Sequence, residues 1–96
     1  MNFLVINSQF DKLKKLLQDK NTDVSWSNYE NVNAVLKDLD YLQKGITRKN
    51  IDSCREMLLL LALTGSLQEI SISSGWGYEF LEIATSLERE LKNYAK

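Results

Sequence analysis

Ile51-Asp52-Ser53-Cys54-Arg55-Glu56-Met57-Leu58-Leu59-Leu60-Leu61-Ala62-Leu63-Thr64-Gly65 decides the class of fold. Ile51, Cys54, Leu58, Leu61 and Ala62 recur at helical spacing, and Leu59, Leu60 and Leu63 carry the apolar surface round the cylinder. A helix apolar on nearly every side belongs in the middle of a bundle. The segment therefore reads as the third and central helix of an all-α protein. Thr47 or Asn50 is its expected N-cap and Gly65 its stop.

The pattern continues in both directions. Ser66-Leu67-Gln68-Glu69 has the spacing of a capping box and opens a short helix that ends at Ser73-Ser74-Gly75. Phe80, Ala84, Leu87, Leu91 and Tyr94 then mark one face of a last helix that starts between Ser74 and Gly77. Upstream, Val32, Val35, Leu36, Leu39 and Leu42 form the face of a second helix, starting after Ser25 or Ser27 and stopped by Gly45. Phe10, Leu13, Leu16 and Leu17 do the same for a first helix that starts at Asn7 or Ser8. Only residues 1–6 and Ile70-Ser71-Ile72 leave room for short extended structure. The expected architecture is a single compact domain, residues 1–96, of four to five helices packed around the third.

Composition narrows the function. A chain of 96 residues makes one domain. Its 44% hydrophobic content with a net charge of −1 is that of a folding chain rather than a disordered one. Histidine is absent and Cys54 is the one cysteine, so no Cys/His metal cluster, no cofactor and no internal disulfide is expected. Met1 to Ile6 is apolar but short and has no basic residue before it, unlike a secretory signal. The longest apolar run, Met57 to Leu63, falls far short of the ~20 residues that span a bilayer. The expectation is a soluble cytoplasmic protein.

No catalytic constellation stands out. Gly75-Trp76-Gly77 is too short for a phosphate loop and reads as a tight turn beside an indole. Cys54 lies on an apolar stripe, and its neighbour Arg55 points elsewhere on a helix, so a core thiol is expected. Glu79, Glu82, Ser86 and Glu90 line the outer side of the last helix, either as a solvated exterior or as an acidic docking stripe. A stripe on a convex helix is not a catalytic cleft. Trp26 with Tyr29, and Trp76 with Tyr78, sit at helix starts, where such residues serve as core plugs or as interface anchors. Binding to another protein is the reading these features favour, and no enzyme is expected.

Charge is blocky: +2, −3, +3, −5 and +2 over residues 1–22, 23–43, 44–55, 56–90 and 91–96. The third and fourth helices, separated by Gly65-Ser66, have the outline of a helix-turn-helix. Residues 66–75 hold no Arg or Lys, however, and phosphate neutralisation dominates nucleic-acid affinity.

The stretch Leu63 to Gly77, followed by Glu79-Phe80-Leu81, resembles small immunity proteins of bacterial toxin systems, in particular the helical ones of contact-dependent growth inhibition. It covers about a fifth of the chain. The resemblance implies a cytoplasmic protein that binds a toxin domain, commonly an RNase-type nuclease, and covers its active site. The complex expected is 1:1, with a monomer in the toxin's absence, and without direct nucleic-acid or membrane contact. Opposed charge would speed capture of a basic nuclease. The candidate docking residues are first Glu79, Glu82 and Trp76, then Asp38, Asp40 and Tyr41. The alternatives are a helical adaptor that self-associates through Leu58 to Leu63, and a DNA-binding repressor.

Overall fold

Asparagine side chains start three of the helices. The computed structural model describes residues 1–25, 27–62 and 65–94. Asn2 opens α1 (Phe3–Leu17) by accepting from the N–H groups of Leu4 and Val5. Asn31 opens α2 (Val32–Thr47) through Ala34, and Asn50 opens α3 (Ile51–Leu61) through Asp52 and Ser53. Each oxygen satisfies donors that a first helical turn leaves without partners. α4 (Ser66–Ser74) and α5 (Gly77–Lys92) start without a side-chain cap bond, after Gly65 and Trp76. No strand occurs among the described residues.

Several expected boundaries move. Residues 3–6 are helical rather than extended, because Asn2 caps a turn before Asn7, and this brings Ile6 into the core. The second helix starts at Val32, later than Ser25 or Ser27. Ile70-Ser71-Ile72 lies inside α4. The capping box at Ser66 and Glu69 does not form: Gly65 takes the cap position and Ser66 is already helical.

Gly45 is not a stop either. It lies within α2, and a Cβ there would come within 1.9 Å of Ser53 Oγ and 2.6 Å of Ser53 Cβ. Glycine at this point lets α3 approach α2 closely. The helix runs on to Thr47, and the chain turns away after Arg48 at Lys49, which adopts a φ of 62°. There the Asn50 N–H donates to the Gly45 carbonyl and the Lys49 N–H to the Ile46 carbonyl, the paired bonds of a Schellman ending. Gly75 makes the same ending for α4, with a φ of 84° and the Trp76 N–H donating to the Ser71 carbonyl.

Helical spacing selects the core. α1 contributes Ile6, Phe10, Leu13 and Leu17; α2 contributes Val35, Leu39, Leu42 and Ile46. Cys54, Met57 and Leu61 come from α3, Leu67 and Ile70 from α4, and Phe80, Ile83, Ala84, Leu87 and Leu91 from α5. The helices pack in a ring in which α1 touches α2 and α5, and α3 touches α2 and α5. α4 lies across α3 and α5. The radius of gyration, 12.3 Å, matches the roughly 12.5 Å of a compact domain of this length.

The third helix is one side of this ring and not the centre expected of it: it does not touch α1, and part of its apolar surface faces outward. Leu59 is 72% exposed and Ile51 is also exposed. A chain this small has too few helices to surround one completely, and the core lies between the helices of the ring. Residues 51–74 together have the length and hydropathy of a membrane span. Their chain turns at Ala62, whose ψ is 156°, so α3 has only 11 residues. At 1.5 Å per residue that is about 16 Å, half of a bilayer's hydrocarbon core.

Candidate interaction surface

The residues singled out from sequence do not form one surface. Glu79 and Glu82 lie on α5, and Asp38, Asp40 and Tyr41 on α2, and these two helices do not touch. α1 and α3 stand between them.

Glu79 and Glu82 also have company that their spacing does not reveal. They line a groove of about 390 Å³ with Lys12, Lys15, Gln9 and Asp19 on the α1 side, over Leu16 and Ile83. No ion pair joins the walls among the described residues. The lysines nonetheless oppose the field of the two carboxylates. Glu90, the far end of the expected stripe, accepts from the Asn2 N–H at 2.7 Å and ties the start of α1 to α5.

On α2 the carboxylates are engaged in the fold. Tyr29 Oη donates to Asp38 Oδ2 at 2.6 Å, and burial followed by this bond pushes the phenol's pKa up. Asp40 pairs with Lys14, whose hydrogen bond and charge hold its carboxyl below the usual range. Lys14 also donates to Gln43 Oε1, and Gln43 donates to Asn7 Oδ1 at 2.9 Å, completing a clamp between α1 and α2. Tyr41 is the exception, exposed on the outer side of α2.

Trp76 is in the core. It is 6% exposed, meets the Phe80 ring edge-on at 6.4 Å, and donates from Nε1 to Thr22 Oγ1 at 3.3 Å. The Asp23 N–H donates to Ser74 Oγ nearby, so the loop after α1 is fastened to the corner between α4 and α5. Trp76 is thus a core residue and not the docking residue expected: Gly75, with its left-handed φ of 84°, lets the chain turn while the indole drops inward. Trp26, the other tryptophan, lies outside the described residues, as does Leu63 of the leucine face.

What the corner does present is apolar. Ile72, Tyr78 and Leu81 are 65%, 87% and 47% exposed, and all three line one depression of about 360 Å³ with Gln68, Gly75 and Gly77. Exposed apolar groups scattered singly are ordinary, whereas a cluster of large ones marks a contact surface. Residues 66–88 hold four glutamates and no Lys or Arg, so this patch sits on the acidic part of the chain. Tyr78 stood out in the sequence as an aromatic at a helix start. Ile72 and Leu81 did not, because each alternates with core residues on its helix.

Two chemical readings meet the geometry here. Cys54 is buried and its burial pushes the thiol's pKa up, the reverse of what a nucleophilic thiolate needs. No group of three His, Cys, Asp or Glu side chains suited to a metal occurs among the described residues.

Fold and surface together define a small all-α protein with an exposed apolar cluster at one corner. Comparison with protein-family models, with curated proteins and with solved structures found no match.

Proposed function

We propose that this protein acts by binding another protein through the α4–α5 corner, and that the partner is a toxic nuclease domain whose active site it covers. In this reading it is a cytoplasmic immunity protein, without cofactor or catalysis of its own. The observation that carries the binding face is the exposed cluster of Ile72, Tyr78 and Leu81 on a segment with four carboxylates and no base. Apolar anchors supply affinity in such interfaces, and surrounding charge supplies speed and selectivity. A nuclease site is basic because it holds phosphates, so its surface would complement this face. The segment that resembles helical immunity proteins, Leu63 to Leu81, contains all three anchors.

Growth rescue tests the proposal. A nuclease domain, sought first in the gene directly upstream, is expressed with and without this protein. Survival only with the protein, with both chains co-purifying, is the expected result. Death in both cases overturns the reading. Tyr78→Ala combined with Leu81→Ala is expected to weaken the complex by at least 2 kcal/mol, roughly thirtyfold, without unfolding the exposed face.

A second reading, self-association as an adaptor, rests on α3. Ile51, Arg55 and Leu59 share its outer side, and Leu59 is the most exposed leucine of that helix. Sedimentation of the pure chain separates the two: a dimer lost in Leu59→Lys supports the adaptor. The repressor reading gains nothing, because α4 carries no Arg or Lys.

A further inference from the structure

The outer side of α5 carries its residues in a definite order. Tyr78, Leu81, Glu82, Thr85, Arg89 and Lys92 recur at helical spacing on one face, and all six are exposed. The first half of the face is apolar and acidic, the middle is small, and the second half is basic. Leu81 is shared by two shallow depressions on this side, one with Ile72 and Tyr78, the other with Glu82, Thr85 and Arg89. Among the described residues neither Glu82 nor Arg89 makes an ion pair, although Glu82 also borders the α1–α5 groove. The Thr85 hydroxyl donates to the Leu81 carbonyl at 2.8 Å. The middle of the face can therefore be covered without leaving that donor unpaired.

We propose that this face of α5 pairs with the same face of a second copy of the chain, the two helices running antiparallel about a two-fold axis at Thr85. Such an axis sets each half of the face against the other half in the second copy. Tyr78 and Leu81 then lie along the aliphatic stems of Lys92 and Arg89, and Glu82 meets the Arg89 guanidinium, each contact occurring twice. Thr85 meets its own copy at the axis, where a small side chain lets the helices approach. A parallel pairing would set Glu82 against Glu82 and Arg89 against Arg89, so the order of charges selects the antiparallel one. A partner of a single sign of charge would match only half of the face. From Tyr78 to Lys92 the face is about 21 Å long, at 1.5 Å per residue. One helix pair of that length makes a small interface, so the dimer is a reversible one. The inference does not rest on the proposed function. Tyr78 and Leu81 belong to both surfaces, so a toxin and a second copy would compete for them.

The test is sedimentation equilibrium of the full chain at concentrations up to about 1 mM. A monomer–dimer equilibrium is expected. Glu82→Arg alone and Arg89→Glu alone should each weaken the dimer about tenfold, because each sets like charges together twice. An equimolar mixture of these two variants should regain the wild-type association, since a heterodimer restores both attractions. Damage to the fold by either substitution would not be repaired by mixing. Leu59→Lys, on α3, should leave the dimer unchanged. A chain that stays monomeric throughout, a dimer indifferent to both charge reversals, a mixture that fails to associate, or a dimer lost in Leu59→Lys would overturn the inference. Growth rescue by a monomeric chain overturns the dimer and leaves the proposed function standing. A dimer that responds to the charge reversals, without rescue, supports the α5 pairing and overturns the toxin as partner.

Discussion

Lys49 shows what a single residue can conceal. Glycine is the usual residue past a helix end because a left-handed backbone crowds a Cβ. Here Gly45 lies inside the helix and a lysine takes the left-handed position, with a φ of 62°. Its carbonyl accepts from the Tyr94 hydroxyl, which fastens the end of α5 to the turn between α2 and α3. Both bonds of the ending use main-chain groups, so Lys49→Gly keeps them and removes the crowding. It is expected to raise stability by roughly 1 kcal/mol, read as a higher midpoint in urea with an unchanged slope. A lower midpoint would show that the lysine side chain contributes more than its backbone conformation costs.

Elements are placed by contacts that no helix carries alone. α2 and α3 meet at Gly45 and Ser53, where a Cβ on residue 45 has no room. In an isolated helix Gly45→Ala would be favourable by about 1 kcal/mol. In this pair the clash wins, because Ser53 Cβ is fixed to a helix backbone and cannot swing away. The variant is expected to lose about 1–3 kcal/mol, and Ser53→Gly in the same chain should recover part of it. Purely additive losses in a double-mutant cycle would contradict this account. The same logic explains the corner between α4 and α5. Gly75 stops one helix, Trp76 fills the gap beneath, and its indole holds the loop after α1 through Thr22. Burial of Trp76 is what leaves Ile72 and Tyr78 as the outward groups of that corner.

At the scale of the molecule, charge is used in two ways. Between α1 and α2 it joins elements through Lys14, Asp40, Gln43 and Asn7. Asp40 has its pKa lowered in the fold, so its contribution is present above the ordinary carboxylate value of 3.8 and is lost as pH falls through the depressed one. Its side chain is 58% exposed, so solvent screens the pair and the contribution stays below about 1 kcal/mol. Asp40→Asn should accordingly be less stable than wild type near about pH 7, with the difference shrinking as the pH falls below the ordinary carboxylate value, by urea unfolding across that range. A difference that does not change with pH would place the effect in packing instead. On the opposite side, residues 66–88 keep their four carboxylates without internal cations, although Lys12 and Lys15 face Glu79 and Glu82 across the α1–α5 groove.

The amino-acid order by itself determined the helical class, the faces of α1, α2 and α5, and the stop at Gly75. These depend on spacing along one helix and on one residue's backbone freedom, which are local properties. It also marked Cys54 as a core thiol, since the residue sits on an apolar stripe. Tertiary structure alone decided which apolar residues remain outside. Leu59 and Leu61 look alike in sequence, yet one is 72% and the other 2% exposed, because α3 has neighbours on only part of its circumference. Trp76 and Tyr78 are two residues apart in one turn, and the fold sends the first inward and the second out. Glu79 and Glu82 read as a free stripe until α1, more than sixty residues away in the chain, brings Lys12 and Lys15 opposite them. Periodicity states which side of a helix is apolar; only the arrival of a distant segment states how much of that side, and which charges, it will cover.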